Sequence, residues 1–220
     1  MHSKSTSWLD ELECLIRDDH MLFTPFYRAW SKGTLEKHTL RKYAREYYRH
    51  VKAFPTYISS LHSRCEDPAI RRELLRNLID EEADTPSHID LWSSFALSLG
   101  VTRSDLHSRE SSATTEALID HFRTSCRTEP FTVGLTALYT YERQIPEICT
   151  TKIDGLRQYY GLTDPESYRY FSVHESVDVQ HSADTRKMLA KLVRPAEEGA
   201  VLESARRTTS ALNAFLGAFI

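Results

Sequence analysis

Residues 174–181, HESVDVQH, combine two imidazoles and a carboxylate at helical spacing. In a helix, His174, Asp178 and His181 are separated by four and then three residues, so they lie on one face. The same face continues through Phe171 and Met188, which predicts that it packs against the core. Because unpaired polar groups are costly in a core, these three side chains indicate a buried functional site.

Two further segments carry polar residues on an apolar face. In one, Glu81 continues an apolar line and His88 follows seven residues later; in the other, Glu142 interrupts the apolar line between Leu138 and Ile145. The three segments together supply three carboxylates and three imidazoles. This is a suitable ligand set for two transition-metal ions such as iron or manganese, because carboxylate and imidazole both bind these metals.

The spacing of Glu81 and His88 favours two ions over one. Residues seven apart on a straight helix are separated by about 10 Å, which is too far for a single ion with bonds of about 2 Å. Flanking two ions about 3.5 to 4 Å apart is easier, and a bend near Pro86 would help. The alternative is that each residue is a satisfied polar group of the core, but this is harder to accept for six residues on three helices, because carboxylates clustered in a core repel one another when nothing neutralises them.

The elements that must position these residues are helices. Apolar residues recur at three and four along nearly the whole chain, and only seven glycines interrupt it. We therefore predict an all-α fold, with one domain spanning residues 1–220 as a bundle of seven to nine helices. The predicted helices span residues 7–18, 24–31, 35–64, 67–84, 86–99, 111–126, 130–160, 165–193 and 197–218. Glu-x-x-His, which ferritin-like di-iron bundles use twice, does not occur in the sequence, so the site needs another scaffold.

The bulk composition narrows the functional classes. A net charge of −3 with interspersed acids and bases gives no basic patch for nucleic acid or an anionic membrane. No apolar run resembles a signal peptide or a membrane span, and the four cysteines are scattered without a CxxC pair. We expect a cytoplasmic protein with reduced thiols and leave a homodimer open.

Several stretches resemble a known family, that of the Chlamydia protein associating with death domains (CADD). They include FYRAWSKGTL at 26–35, YYRHVKAFPTYISSLHSRCED at 47–67, NLIDEE at 77–82, HIDLW at 88–92, LYTYERQIPEICTTKIDGL at 138–156 and HESVDVQH. The resemblance implies a haem-oxygenase-like seven-helix fold, like that of TenA and pyrroloquinoline-quinone synthase, with a non-haem dimetal centre. It implies as ligands the same six residues that the helical pattern indicates: Glu81, His88, Glu142, His174, Asp178 and His181.

The resemblance also implies an unusual reaction, which periodicity alone does not indicate. Family members form para-aminobenzoate, a folate precursor, from their own chain in a single turnover. By similarity, Tyr27 supplies the aromatic ring and Lys152 the amino nitrogen, while Tyr43 matches a tyrosine near the site. The expected cofactor is an Fe/Fe or Mn/Fe pair, with O2 and an external reductant as co-substrates. On a straight helix Lys152 lies about 15 Å beyond Glu142, which predicts an amine outside the ligand set.

Two alternatives remain open at this stage. The chain could be a dimetal oxidase of an external small molecule, or a protein-interaction module of the death-domain-binding type. The sequence shows no discrete tail or charged patch that supports an interaction module. Loss of a tyrosine side chain from the protein would separate self-modification from the oxidation of an external substrate.

Overall fold

The computed structural model describes residues 7–83 and 85–220. Within these residues every regular element is helical, so the prediction of an all-α fold is confirmed. The eleven α helices are α1 (Trp8–Asp18), α2 (Pro25–Ser31), α3 (Lys37–Arg64), α4 (Pro68–Glu82), α5 (His88–Ser98), α6 (Arg103–His107), α7 (Ala113–Arg127), α8 (Phe131–Glu142), α9 (Ile145–Tyr159), α10 (Arg169–Leu192) and α11 (Glu198–Gly217). Short 3-10 turns at Met21–Phe23, Pro165–Tyr168 and Pro195–Glu197 precede α2, α10 and α11.

The predicted number of helices is wrong, chiefly because the predicted helix 130–160 is two helices. Pro146 has no N–H, and its ring crowds the carbonyl four residues earlier, which favours a break in the helix at this point. The side chain of Gln144 occupies the break: its Nε2 donates to the Thr140 carbonyl at 2.8 Å, and its Oε1 accepts from the Met21 amide at 2.9 Å. Through Gln144, the junction of α8 and α9 is therefore hydrogen-bonded to the segment that precedes α2.

Other boundaries follow local chemistry. The short helix α6, which the periodicity did not predict, is held by a capping box between Thr102 and Asp105. Helix α4 ends at Glu82, two residues before the predicted end at residue 84, which with residues 1–6 lies outside the described residues. Gly33, Gly100 and Gly161 have positive φ angles, as expected for residues that end helices.

The core is built around the longest helices. Helix α3 packs against α4, α5 and α7, while α10 packs against α8 and α9, and α11 covers α1, α7 and α8. The core is rich in aromatic residues, and Trp30, Trp92, Tyr43 and Phe171 are fully buried. Polar side chains from α4, α5, α8 and α10 are buried in this core and lie close to one another. None of the described helices combines the length and apolar character that a membrane span requires.

Candidate metal centre

Six polar side chains from four helices converge in the core and form two groups of three. The first group is Glu81 of α4, His88 of α5 and His174 of α10; the second is Glu142 of α8, with Asp178 and His181 of α10. Within each group, one potential ligand atom of every residue lies within 4.8 Å of the others. The structure thus brings together all six residues that the sequence indicated.

The first group corrects the straight-helix argument. Glu81 and His88 belong to the same group, and Glu81 Oε2 lies 3.0 Å from His88 Nδ1. They are not held apart by a straight helix, because α4 ends at Glu82 and α5 begins at His88. His174 completes the group: its ring lies 4.3 Å from that of His88, and its Nδ1 donates to the Tyr170 carbonyl at 2.7 Å. His174 therefore offers Nε2 as a ligand.

The second group is richer in carboxylate. Asp178 Oδ1 lies 3.6 Å from His181 Nδ1, while Glu142 Oε1 accepts a hydrogen bond from Asn77 Nδ2 at 2.8 Å. On its outer side, His181 Nε2 donates to Asp80 at 2.9 Å. Two carboxylates and one imidazole thus face each other, with Asn77 and Asp80 behind them.

Several of these buried atoms lack a hydrogen-bond partner among residues 7–83 and 85–220: His88 Nδ1, His181 Nδ1, Glu142 Oε2 and Asp178 Oδ2. Such atoms are costly when nothing pairs with them. They also point into the two groups, where Glu81 and Asp178 approach imidazole nitrogens without hydrogen-bond geometry. The donor types, their convergence and their unpartnered atoms therefore fit a pair of transition-metal ions.

Burial shapes the protonation of the metal-free cluster. It raises the pKa of Glu142 to about 8 and that of Asp178 to about 6. Burial also lowers the pKa of His181, but the facing carboxylates outweigh it and raise that pKa to about 9. The pKa of His174 lies well below 6.5 because of burial and the nearby His88 ring. The cluster therefore takes up protons where cations would otherwise balance the carboxylates.

Tyr27, Tyr43 and Lys152 meet in a second buried cluster. The Lys152 side chain is only 3% exposed, and its Nζ donates to Tyr43 Oη at 2.7 Å. The same nitrogen lies 5.7 Å from the centre of the Tyr27 ring. Other aromatic rings surround it at 4.8 to 5.6 Å, namely those of Tyr43, Tyr47, Trp92 and Phe171. Lys152 is thus an ammonium group in an aromatic cage.

The break between α8 and α9 explains why a straight helix did not predict this position. Since α9 starts anew at Ile145, Lys152 is directed into the core, one turn after the buried Cys149. Trp30 fixes the backbone there, because its indole Nε1 donates to the Lys152 carbonyl at 3.3 Å. Gly155 allows the close approach, since an added Cβ would lie 2.6 Å from the Trp30 ring.

Aromatic contacts connect the two clusters. The Tyr170 ring stacks on His174 at 4.0 Å and meets Trp92 at 4.8 Å, and Trp92 in turn lies 4.8 Å from Tyr47. Tyr47 stacks on Tyr43 at 5.4 Å, and its hydroxyl lies 2.6 Å from that of Tyr141, the neighbour of Glu142. The lysine cage therefore shares its rings with the surroundings of the metal ligands.

The sequence patterns did not indicate Asn77, Asp80 or the roles of Tyr47, Trp92 and Phe171 in the cage. Asn77 carried a usable signal, because it lies four residues before Glu81 and so shares its helix face. Asp80 carried none, since it lies off that face and meets His181 across 101 positions of sequence. His50, which has no ligand partner by spacing, is fully buried against Tyr141 and Phe122 rather than near a potential metal ligand.

Three cavities adjoin the potential metal ligands. A small enclosed cavity of about 10 Å³ lies between Glu81, His174, Asp178, Tyr141 and Tyr170. A cavity of about 250 Å³ between α4 and α10 reaches Asn77, Asp80 and His181. A groove of about 780 Å³ between α3 and α5 reaches Glu81. Two larger cavities therefore reach the potential ligands from two sides, whereas the cavity between the two groups is small and largely enclosed.

Comparison with known proteins gives consistent results. A family model described as iron-containing redox enzyme matches residues 41–213. The 4-aminobenzoate synthase of Chlamydia pneumoniae is 47% identical over 215 residues, which cover 98% of this chain and 96% of the relative.

Two solved structures show the same fold. A TenA homologue from Pseudomonas syringae has a TM-score of 0.85 at 16% identity, covering 97% of this chain and 93% of the other. A Shewanella denitrificans domain with a haem-oxygenase-like fold has a TM-score of 0.83 at 20% identity, covering 96% and 91%. These likenesses confirm the predicted haem-oxygenase-like architecture.

Proposed function

Because this chain belongs to the family of iron-containing redox enzymes, we propose that it forms para-aminobenzoate from its own Tyr27. In this proposal Lys152 supplies the amino nitrogen, the two groups of three residues hold two transition-metal ions, and each chain reacts once. The name of the Chlamydia pneumoniae relative, 4-aminobenzoate synthase, supports the product. The buried contact between Lys152 and the tyrosine rings is the observation that carries the mechanism.

The substitution pattern of the product matches a tyrosine side chain. Both have a six-membered ring with a carbon substituent para to a heteroatom. Conversion requires that the Cα–Cβ bond of Tyr27 and the Cε–Nζ bond of Lys152 break, that Cβ is oxidised to the carboxyl carbon, and that the lysine nitrogen replaces the phenolic oxygen, which leaves as water. When bound, an Fe/Fe or Mn/Fe pair would supply the oxidising power, with dioxygen as the oxidant and an external reductant.

The chain itself contributes positioning and the exclusion of water. Tyr27 is 2% exposed, and burial keeps its pKa well above 10, so the phenol retains its proton. Burial also lowers the pKa of Lys152 to about 8, so roughly a tenth of the amine is neutral at pH 7. Only the neutral amine has a lone pair with which to form a new bond, and the cage holds it beside the rings.

The enclosed cavity between the two groups favours an internal substrate. Its volume of about 10 Å³ accommodates roughly one water-sized molecule. This space is too small for an external organic substrate. Reaction at this space therefore favours a side chain of the protein itself as the substrate.

The mass of the protein tests the proposal directly. Protein loaded anaerobically with Fe²⁺ and Mn²⁺ is given oxygen and a reductant, and intact and tryptic masses are recorded with the yield of para-aminobenzoate. We expect one product per chain and the loss of a side chain at Tyr27. Tyr27→Phe should retain its fold and metal content and form no product.

Tyr43→Phe is the matched control. It removes a hydroxyl group from the neighbouring ring and the hydrogen bond to Lys152, but it leaves the proposed donor in place. We expect para-aminobenzoate at reduced yield, still from Tyr27. Product at the wild-type level from Tyr27→Phe, or a mass loss located at Tyr43, would refute the assignment of the donor.

The groove beside Glu81 supports a second candidate function, oxidation of an external small molecule. Its volume of about 780 Å³ is within the usual range for ligand sites, and its wall carries both cations, Lys52 and Arg103, and carboxylates, among them Glu82 and Asp90. In that case the mass of the protein stays unchanged while an added small molecule is consumed. The same mass measurement therefore separates the two functions.

A further inference from the structure

We propose that Asp80 is a positioning residue that orients His181 for metal binding and sets the affinity of the second group for its ion. This inference rests on the proposed dimetal centre. Asp80 is outside the two groups of potential ligands, and its side chain is 42% exposed. It nevertheless contacts one of the six ligands directly.

The orientation of the His181 ring follows from its two nitrogens. Nε2 lies 2.9 Å from Asp80 Oδ2, and a carboxylate only accepts, so the proton is on Nε2. The other nitrogen, Nδ1, lies 3.6 Å from Asp178 Oδ1 and has no hydrogen-bond partner in the described part of the chain. When His181 is neutral, as a metal ligand must be, the contact with Asp80 selects the tautomer in which the lone pair is on Nδ1, the nitrogen that faces Asp178.

The two groups differ in how their histidines are held. In the first group, His174 donates to a neutral backbone carbonyl, that of Tyr170. In the second, His181 donates to a carboxylate, which makes an imidazole a stronger ligand. Asp80 therefore acts on only one of the two ion positions, and its loss should affect them unequally.

Asn77 supports the same position from the same helix. It lies three residues before Asp80, and its Nδ2 donates to Glu142 Oε1 at 2.8 Å, which leaves Oε2 unpaired. One turn of α4 thus supplies the ligand Glu81 to the first group and holds two ligands of the second. The geometry of both groups therefore depends on this one part of α4.

Asp80 also lines the cavity between α4 and α10. This cavity, of about 250 Å³, is lined by Asp80 and His181 as well as Asp184 on its rim. The second position therefore has a path to solvent that passes the Asp80 carboxylate. An ion bound there should exchange through this cavity, and at a rate that depends on how firmly Asp80 holds the His181 ring.

Metal titration tests the proposal without any measurement of activity. Mn²⁺ is added to metal-free wild type, Asp80→Ala and Asp80→Asn, and free Mn²⁺ is measured by electron paramagnetic resonance. We expect wild type to bind two ions, and Asp80→Ala to bind one of them about 10- to 100-fold more weakly, the usual effect of losing such a partner. Asp80→Asn keeps an oxygen acceptor for Nε2 and should recover part of the loss.

Asp184→Asn is the matched control, because Asp184 lines the same cavity but pairs with Gln180 and Lys187. We expect it to bind both ions as wild type does. The proposal is overturned if Asp80→Ala binds both ions with wild-type affinity, or if Asp184→Asn weakens one of them equally. Wild type that binds no pair of ions would instead refute the dimetal centre itself, so the two failures are distinct.

Discussion

Replacing Lys152 by methionine should remove a specific pH dependence from the stability of the protein. Methionine has a similar length and keeps the apolar contacts with the aromatic cage, but it carries no charge. The ammonium of Lys152 is 3% exposed, and burial lowers its pKa from 10.5 to about 8. Protonation of Lys152 therefore lowers the free energy of unfolding at pH values below about 10.

The size of the effect follows from the two pKa values. Between pH 8 and 10.5 the unfolded chain binds a proton that the folded chain does not, so the stability of wild type rises with pH across this window. A shift of about 2.5 pH units corresponds to about 3.4 kcal/mol, of which about 2.5 kcal/mol is recovered between pH 7 and pH 10. Lys152→Met has no such group and should lack this gain.

Cation–π attraction works in the opposite direction. Five rings lie within 5.7 Å of the Lys152 nitrogen, and such contacts favour the charged form by about 0.5 to 2 kcal/mol. The hydrogen bond to Tyr43 is also lost in the variant. The absolute stability of Lys152→Met at pH 7 is therefore a balance of terms, whereas the change with pH reports the net free-energy difference between the charged and the neutral amine in the folded protein.

Urea unfolding of metal-free protein, followed by circular dichroism at pH 7, 8, 9 and 10, measures this change. Relative to Lys152→Met, wild type should gain about 2 to 3 kcal/mol from pH 7 to pH 10. Lys37→Met, which removes an exposed lysine at the start of α3, is the control and should track wild type. A difference between wild type and Lys152→Met that stays constant with pH would refute the desolvated ammonium.

Two further predictions concern the framework of the site. Glu142→Ala should lower the metal content below two ions per chain, because Glu142 is the one potential ligand that α8 contributes to the two groups; two ions per chain by metal analysis would contradict its role as a ligand. Gly155→Ala should cost about 1 to 3 kcal/mol in urea unfolding, because the added Cβ would lie 2.6 Å from Trp30. Gly199→Ala, whose Cβ meets nothing within 4 Å, should be neutral, and equal destabilisation of the two would disprove the packing argument.

Helical periodicity was enough to find the potential ligands, because each lies on an apolar face. His174, Asp178 and His181 share one face of α10, and that face enters the core as predicted. Periodicity does not show how separate helices align. It placed Glu81 and His88 too far apart, because the turn between α4 and α5 brings residues seven apart into one group.

The surroundings of the ligands depended on tertiary contacts that no local pattern encodes. The bond between Asp80 and His181 joins α4 to α10, and neither residue has a spacing that indicates the other. The position of Lys152 depended on Pro146 and Gln144, which end one helix and begin another. Pro146 can be read from the sequence, but the direction of Lys152 can be predicted only if the helix is known to break at this proline.

The break between α8 and α9 also limits how this chain can change during evolution. Glu142 closes one helix, Lys152 sits in the next, and Gln144 fastens the junction to the Met21 backbone. Inserting or deleting a single residue between Ile145 and Lys152 would rotate every later side chain of α9 by about 100°. The amine would then leave the cage although every residue type were kept, so natural variation here should consist of substitutions while the length of this segment stays fixed.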